Sequence, residues 1–227
     1  MGVLKKCVSL VTGAGTGIGR ATAIKLAAEG SFVVLVGRRL DKLEEVATQI
    51  HQSGGEALAI SADVTSLNDV QHLRDQVLNL KGKIDIVVNN AGAAGAPIVV
   101  HDMTASEWDE MIKLNLYSAF YITNAFLPKM REQQQGHVVS ITSMMVNLYF
   151  EGFSGYSAAK SGLEVLMKTL AAEEAKHGIQ VSVIDPGNVR SEQNPKGQQE
   201  PETIADLVFK CVVEPDKQAS GDIVKAY

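Results

Sequence analysis

Short, largely apolar runs recur along this chain, and each gives way to a stretch with helical spacing. The runs are Val8–Val11, Phe32–Val36, Leu58–Ile60, Ile84–Val88, Val138–Ile141 and Val181–Ile184, with Asp222–Lys225 as a further edge candidate. Helical spacing fills residues 18–29, 40–52, 68–80, 104–133, 156–177 and 204–213. Strands without polar alternation are buried on both faces, which places them in a parallel sheet covered by helices. Right-handed crossovers then lay helices on both faces of a single sheet of about seven strands, a doubly wound α/β fold. With 227 residues, 45% of them hydrophobic, the chain supports one domain over 1–227 with a continuous core.

Several function classes are set aside by charge and composition. The formal charge is −5, from 21 basic against 26 acidic residues, and no basic run is present, which argues against a nucleic-acid partner. No apolar stretch approaches the ~20 residues of a membrane span. The N-terminus lacks the apolar segment of a signal peptide. Cys7 and Cys211 have no ligand-type spacing, so neither a metal site nor a disulfide framework is expected. A soluble, cytoplasmic protein is the expectation.

The segment Thr12-Gly-Ala-Gly-Thr-Gly-Ile-Gly19 ends the first apolar run and opens the first helix. Glycines let a backbone turn tightly and approach a pyrophosphate, and a helix N-terminus offers unpaired N–H groups and a positive dipole end. Gly13, Gly15, Thr16, Gly17, Ile18 and Gly19 are therefore candidate cofactor contacts. Far downstream, Tyr156 and Lys160 stand at i and i+4 on one helix face, roughly 5–6 Å apart at Cβ. An ammonium so placed favours the phenolate over a phenol whose ordinary pKa is about 10. Ser143 lies 156 − 143 = 13 residues before the Tyr.

Thr12–Gly19, Asn89-Asn-Ala-Gly92, Ser143, Tyr156-x-x-x-Lys160 and Pro186-Gly187 occur in the order seen in the short-chain dehydrogenase/reductase family, which residues 5–191 resemble. The resemblance implies a Rossmann-type fold and hydride transfer between a nicotinamide cofactor and a carbonyl or secondary alcohol. It implies that Tyr156 is the general acid/base and that Lys160 lowers its pKa and holds the nicotinamide ribose. Ser143 would hydrogen-bond the substrate oxygen, and Asn115 would hold a water in a proton relay to Lys160. Asn90, Ala91 and Gly92 would line the cofactor site. The backbone of Pro186, Gly187 and Val189, with Ser191 in place of the family's Thr, would contact the carboxamide. Asp63 and Val64 would meet the adenine. Relatives assemble as dimers or tetramers, so a homo-oligomer, with a tetramer favoured, is expected. Ala119, Phe120, Ala125, Phe126, Leu163, Leu166 and Leu170 are its candidate apolar surface.

The second apolar run ends Gly37-Arg38-Arg39, with no carboxylate to take ribose hydroxyls and two guanidinium groups suited to a 2′-phosphate. NADP(H) is therefore preferred and NAD(H) is the alternative, since Thr16 stands where many NADP-using relatives carry a basic residue. The polar segment at 188–201 reads as a solvated loop or as a substrate flap shorter than its relatives', which leaves an open site for a small-molecule or carrier-bound substrate. Met144, Met145, Val146, Leu148, Tyr149, Phe150 and Phe153 form either an apolar substrate wall or ordinary core. The leading expectation is an NADP(H)-dependent reductase of a ketone or 3-oxoacyl group. An NAD-dependent alcohol dehydrogenase comes second, and a weakly catalytic NADP(H)-binding sensor third.

Overall fold

The computed structural model describes residues 2–215 and 220–227. Seven parallel strands form one sheet: β1 Val8–Thr12, β2 Phe32–Gly37, β3 Glu56–Ser61, β4 Ile86–Asn89, β5 Gly136–Ile141, β6 Ile179–Asp185 and β7 Ile223–Lys225, in spatial order 3-2-1-4-5-6-7. The helices are α1 Gly17–Ala28, α2 Leu40–Gln52, α3 Leu67–Lys81, α4 Ala105–Ile112, α5 Ser118–Gln133, α6 Ser154–Glu174 and α7 Pro201–Val213. The order reverses between β1 and β4, which opens a crevice at the carboxyl ends of these strands.

Both faces of the sheet are covered, which is why the strands read as continuous apolar runs. Val70, Leu73 and Val77 of α3, Ile122 and Phe126 of α5, and Leu163 and Met167 of α6 pack on one face. Leu26 of α1, Leu43, Val46 and Ile50 of α2, and Ile204 and Val208 of α7 pack on the other. In α2 the buried positions 43, 46, 47 and 50 follow the helical period, so one stripe faces the sheet and the charged remainder faces water. Among the described residues, no helix is long and apolar enough to cross a membrane.

The stretch predicted as a single helix over 104–133 is interrupted. It begins with a capping box, in which Thr104 and Glu107 satisfy each other's backbone N–H groups. It then widens into a π-turn at Lys113–Tyr117 before α5. The buried residue in that turn is Asn115, whose amide bonds the carbonyls of Met111 and Ala93, and such polar side-chain bonds open the regular ladder. The apolar residues considered for an oligomer face also separate. Phe126, Ala119, Leu163 and Leu170 are core, whereas Phe120 is 45% exposed.

His137 at the start of β5 is buried and bonds the Ser182 hydroxyl at 2.8 Å. Burial pushes its pKa down from 6.5 to about 4. Between these values the unfolded chain binds the extra proton, so this residue's contribution is complete above about pH 6.5 and is lost as pH falls toward 4. Denaturant titrations across that window are expected to show stability falling by at most about 1.4 kcal/mol per pH unit on this account. His137→Gln should flatten the limb, and an unchanged limb would remove His137 from the explanation.

Candidate active site

The glycine segment forms a tight turn between β1 and α1. Gly13 and Gly17 have φ of 64° and 51°, backbone that favours glycine. A Cβ on Gly19 would fall 2.2 Å from the Gly13 carbonyl oxygen and 2.5 Å from Asn90 Nδ2, so only glycine lets α1 start this close to the turn. Thr16 is the N-cap of α1 in extended backbone, without a side-chain cap bond, and Ile18 anchors the first turn against the core. Thr12 joins this turn to the next strand. Its hydroxyl bonds the Val88 carbonyl and accepts from the N–H groups of Asn90 and Ala91, both at 3.0 Å. Asn90 Nδ2 returns the contact to the Thr12 carbonyl at 2.8 Å.

Across the crevice, Ser143 follows β5, and Tyr156 and Lys160 lie on α6. Lys160 is buried, with Nζ donating to the Ile141 carbonyl at 2.8 Å and lying 5.8 Å from the Tyr156 ring centre. A Cβ on Gly92 would meet Asn115 Oδ1 at 2.7 Å and Lys160 Nζ at 3.2 Å, so Gly92 is what allows these two groups to sit side by side. The Asn115 amide is fully engaged: Oδ1 accepts from the Ala93 N–H, and Nδ2 donates to the Ala93 and Met111 carbonyls. Ser143 Oγ accepts from the Met145 N–H at 3.2 Å and lies near enough to Tyr156 to influence its titration.

The electrostatics differ from those the Tyr-x-x-x-Lys spacing predicts. Burial lowers Lys160 from 10.5 to about 8 and raises Tyr156 above its ordinary value. The Ser143 hydrogen bond opposes the rise in Tyr156, and the charge of Asp185 adds to it. Desolvation of the phenolate is the largest influence on Tyr156, while the Lys160 amine donates to a main-chain carbonyl.

The third wall is the end of β6. Gly187 has φ 67° and donates its N–H to Asp185 Oδ1 at 3.1 Å. Asp185 is buried, and its Oδ2 accepts from the Tyr227 hydroxyl at 2.9 Å. A Cβ on Gly187, next to Pro186, would strike the Tyr227 ring at 2.8 Å. Val189 is buried and bridged to Gln199, and Ser191 Oγ accepts from the Asn194 N–H. The segment after β6 is thus a largely exposed loop held in shape by Asn194, in keeping with the solvated loop expected.

At the carboxyl end of β2, Arg39 pairs with Glu192 at 2.9 Å, and Arg38 is exposed with its carbonyl held by Ser61. Asp63 Oδ1 accepts from the Thr65 N–H and hydroxyl, while α3 is capped by Ser66 rather than by Asp63. Val64 is buried in the core. The apolar stretch after Ser143 is not core. Leu148, Tyr149 and Phe150 are 43%, 91% and 48% exposed. A cleft of about 180 Å³ adjoins Tyr156, lined by Met103, Met111, Ile98, Phe153 and Glu110 among others.

Ser143, Tyr156, Lys160 and Asn115 therefore converge with the glycine turn on one crevice. Lys42, Asp185 and Tyr227 were not legible as members. Lys42 faces Gly15, with its Cβ 3.0 Å from where a Gly15 Cβ would stand. A carboxylate just before Pro186-Gly187 was the only sequence signal for Asp185, and Tyr227 had none.

A sequence model of the family described as short chain dehydrogenase matches residues 7–202. An uncharacterized oxidoreductase of Staphylococcus aureus (strain MRSA252) is 36% identical over 221 residues, covering 95% of this chain and 94% of the relative. A 7α-hydroxysteroid dehydrogenase solved with NADH and 7-oxo glycochenodeoxycholic acid superposes with a TM-score of 0.93 at 28% identity, covering 98% of this chain and 93% of that one. A metagenomic short-chain oxidoreductase solved with NADP superposes with a TM-score of 0.87 at 34% identity, covering 97% of each chain.

Proposed function

We propose, for a chain that belongs to the short-chain dehydrogenase/reductase family and is an oxidoreductase, that it reduces an apolar ketone or 3-oxoacyl compound to the secondary alcohol with NADP(H). The observation that carries the reading is the meeting of Ser143, Tyr156 and Lys160 in one crevice with the glycine turn. The cofactor fits on the geometry. Gly13 and Gly19 leave no room for a Cβ, so the turn packs close against the N-terminus of α1, where a pyrophosphate is favoured. A bound dihydronicotinamide supplies the hydride.

The residues do the rest. Tyr156, held protonated by burial, donates its proton to the substrate oxygen, and Ser143 donates a hydrogen bond to the same oxygen. Lys160 is the amine placed to hold the ribose hydroxyls once it leaves the Ile141 carbonyl. A relay water at Asn115 falls to its main chain, because the amide is engaged and the π-turn moves carbonyls out of the regular ladder. Arg39, Arg38 and Lys42 are the cations for the 2′-phosphate. Ile98, Met103, Met111 and Phe153, which line the cleft beside Tyr156, favour an apolar substrate.

NAD(H) is the second reading, favoured by Glu192 already holding Arg39. Thermal-shift titrations with NADPH and NADH, followed by cofactor oxidation with a panel of apolar ketones, test the assignment. Stronger stabilisation by NADPH and turnover of a panel member are expected. Clear preference for NADH would transfer the reading to an NAD-dependent alcohol dehydrogenase.

A further inference from the structure

Three segments far apart in sequence meet at the adenosine end of the crevice. Arg39 lies just before α2 and Lys42 within its first turn. The glycine turn touches this helix, because a Cβ on Gly15 would lie 3.0 Å from Lys42 Cβ. The turn after β6 comes over the top: a Cβ on Gly17 would meet Ser191 Cβ at 3.5 Å, and Glu192 reaches Arg39 Nη2 at 2.9 Å. That turn is built to hold its shape. Ser191 and Asn194 exchange main-chain bonds, and Asn194 Nδ2 bonds Asn188 Oδ1 and the Val189 carbonyl. Arg190 pairs with Glu200 at its base. Glu192 is therefore presented to Arg39 by a folded element.

We propose that Glu192 is an internal anion that competes with the cofactor's ribose 2′-phosphate for Arg39, so that the turn over the phosphate site discriminates against the phosphorylated dinucleotide. The inference rests on the reading above that Arg39 faces that phosphate. A carboxylate and a phosphomonoester both suit a guanidinium fork, and one Arg39 side chain cannot hold both in the same geometry. A dinucleotide with a free 2′-hydroxyl leaves the Arg39–Glu192 pair intact and the turn closed. The phosphorylated one must break the pair, release Glu192 and bring a second negative charge beside it. Both side chains are more than half exposed, so solvent screens the pair and the discrimination is modest.

The test is a binding cycle with NADPH and NADH on the full chain, using wild type, Glu192→Gln, Arg39→Ala and the double variant. Glu192→Gln is expected to tighten NADPH about two- to five-fold, as suits an exposed pair, and to leave NADH unchanged. Raising the salt concentration should shrink that gain. Arg39→Ala should weaken NADPH alone, and in its background Glu192→Gln should have no effect, because the competition acts through Arg39. If Arg39→Ala leaves NADPH binding untouched, the placement of the phosphate fails, and the competition with it. If Arg39→Ala weakens NADPH but Glu192→Gln changes neither cofactor, or both equally, the competition alone is overturned. An undiminished effect of Glu192→Gln in the Arg39→Ala background also overturns it. Hydrogen exchange gives a second readout: the Ser191 and Asn194 amides should be less protected with NADPH than with NADH.

Discussion

Tyr156→Phe is expected to lower turnover about a hundred- to ten-thousand-fold while leaving cofactor binding and folding nearly unchanged. The substitution keeps the ring, which sits partly buried on α6, and deletes only the hydroxyl. Without it, no group at that position can give a proton to the oxygen that gains charge as hydride arrives. The pH dependence has a definite sign. Burial raises the Tyr156 pKa, so the proton-bearing form persists through neutrality and supports reduction. Reduction should therefore decline only as pH rises through that elevated value, and alcohol oxidation, which needs the phenolate, should climb over the same range. The measurement is steady-state turnover of the best ketone beside the thermal shift produced by NADPH. Full activity in Tyr156→Phe on any identified substrate would end the assignment.

Gly19→Ala should remove cofactor binding by a different route. The added Cβ would stand 2.2 Å from the Gly13 carbonyl oxygen, a main-chain atom in a turn pinned by Thr12 and Asn90. Relief requires α1 to back away from the turn, which withdraws the N–H groups meant for the pyrophosphate. About a hundredfold loss of cofactor affinity is expected, on the order of what a displacement of one ångström does to a positioned site. A fold destabilised by about 1–3 kcal/mol should accompany it. Gly15→Ala is the milder comparison, because its Cβ would stand 3.0 Å from Lys42 Cβ, a tight contact and not an overlap with main chain, and it should lose less. Equal affinities in Gly19→Ala and wild type would refute the packing argument.

What was legible in the chain was whatever local spacing encodes. Apolar strands without alternation predicted a sheet covered on both faces, and the strand–glycine–helix context predicted the tight turn between β1 and α1. The spacing of Ser143, Tyr156 and Lys160 put three side chains in one crevice, where they are found. The illegible parts are contacts made by chain folding back on itself. The pairing of Arg39 with Glu192 joins residues 153 positions apart. Lys160 gives its amine to the Ile141 carbonyl, 19 positions away, and burial raises the Tyr156 pKa where the spacing alone predicts a fall. The π-turn at Asn115 depends on a carbonyl of Ala93 supplied by another segment. The Tyr227–Asp185 bond likewise depends on β7 lying beside β6.

The Thr12 hydroxyl, which ties the glycine turn to Asn90 and Ala91, bears on how such a protein changes over generations. That tie lies in the interior, where most substitutions are damaging. Arg39, Lys42 and Glu192 lie outside it on exposed surface, where exchanges alter stability little. On the proposed placement of the dinucleotide, the grip on its shared part is kept apart from the residues that would tell one dinucleotide from another. A lineage carrying this architecture would then be free to drift between cofactors by a few surface exchanges without risking the fold.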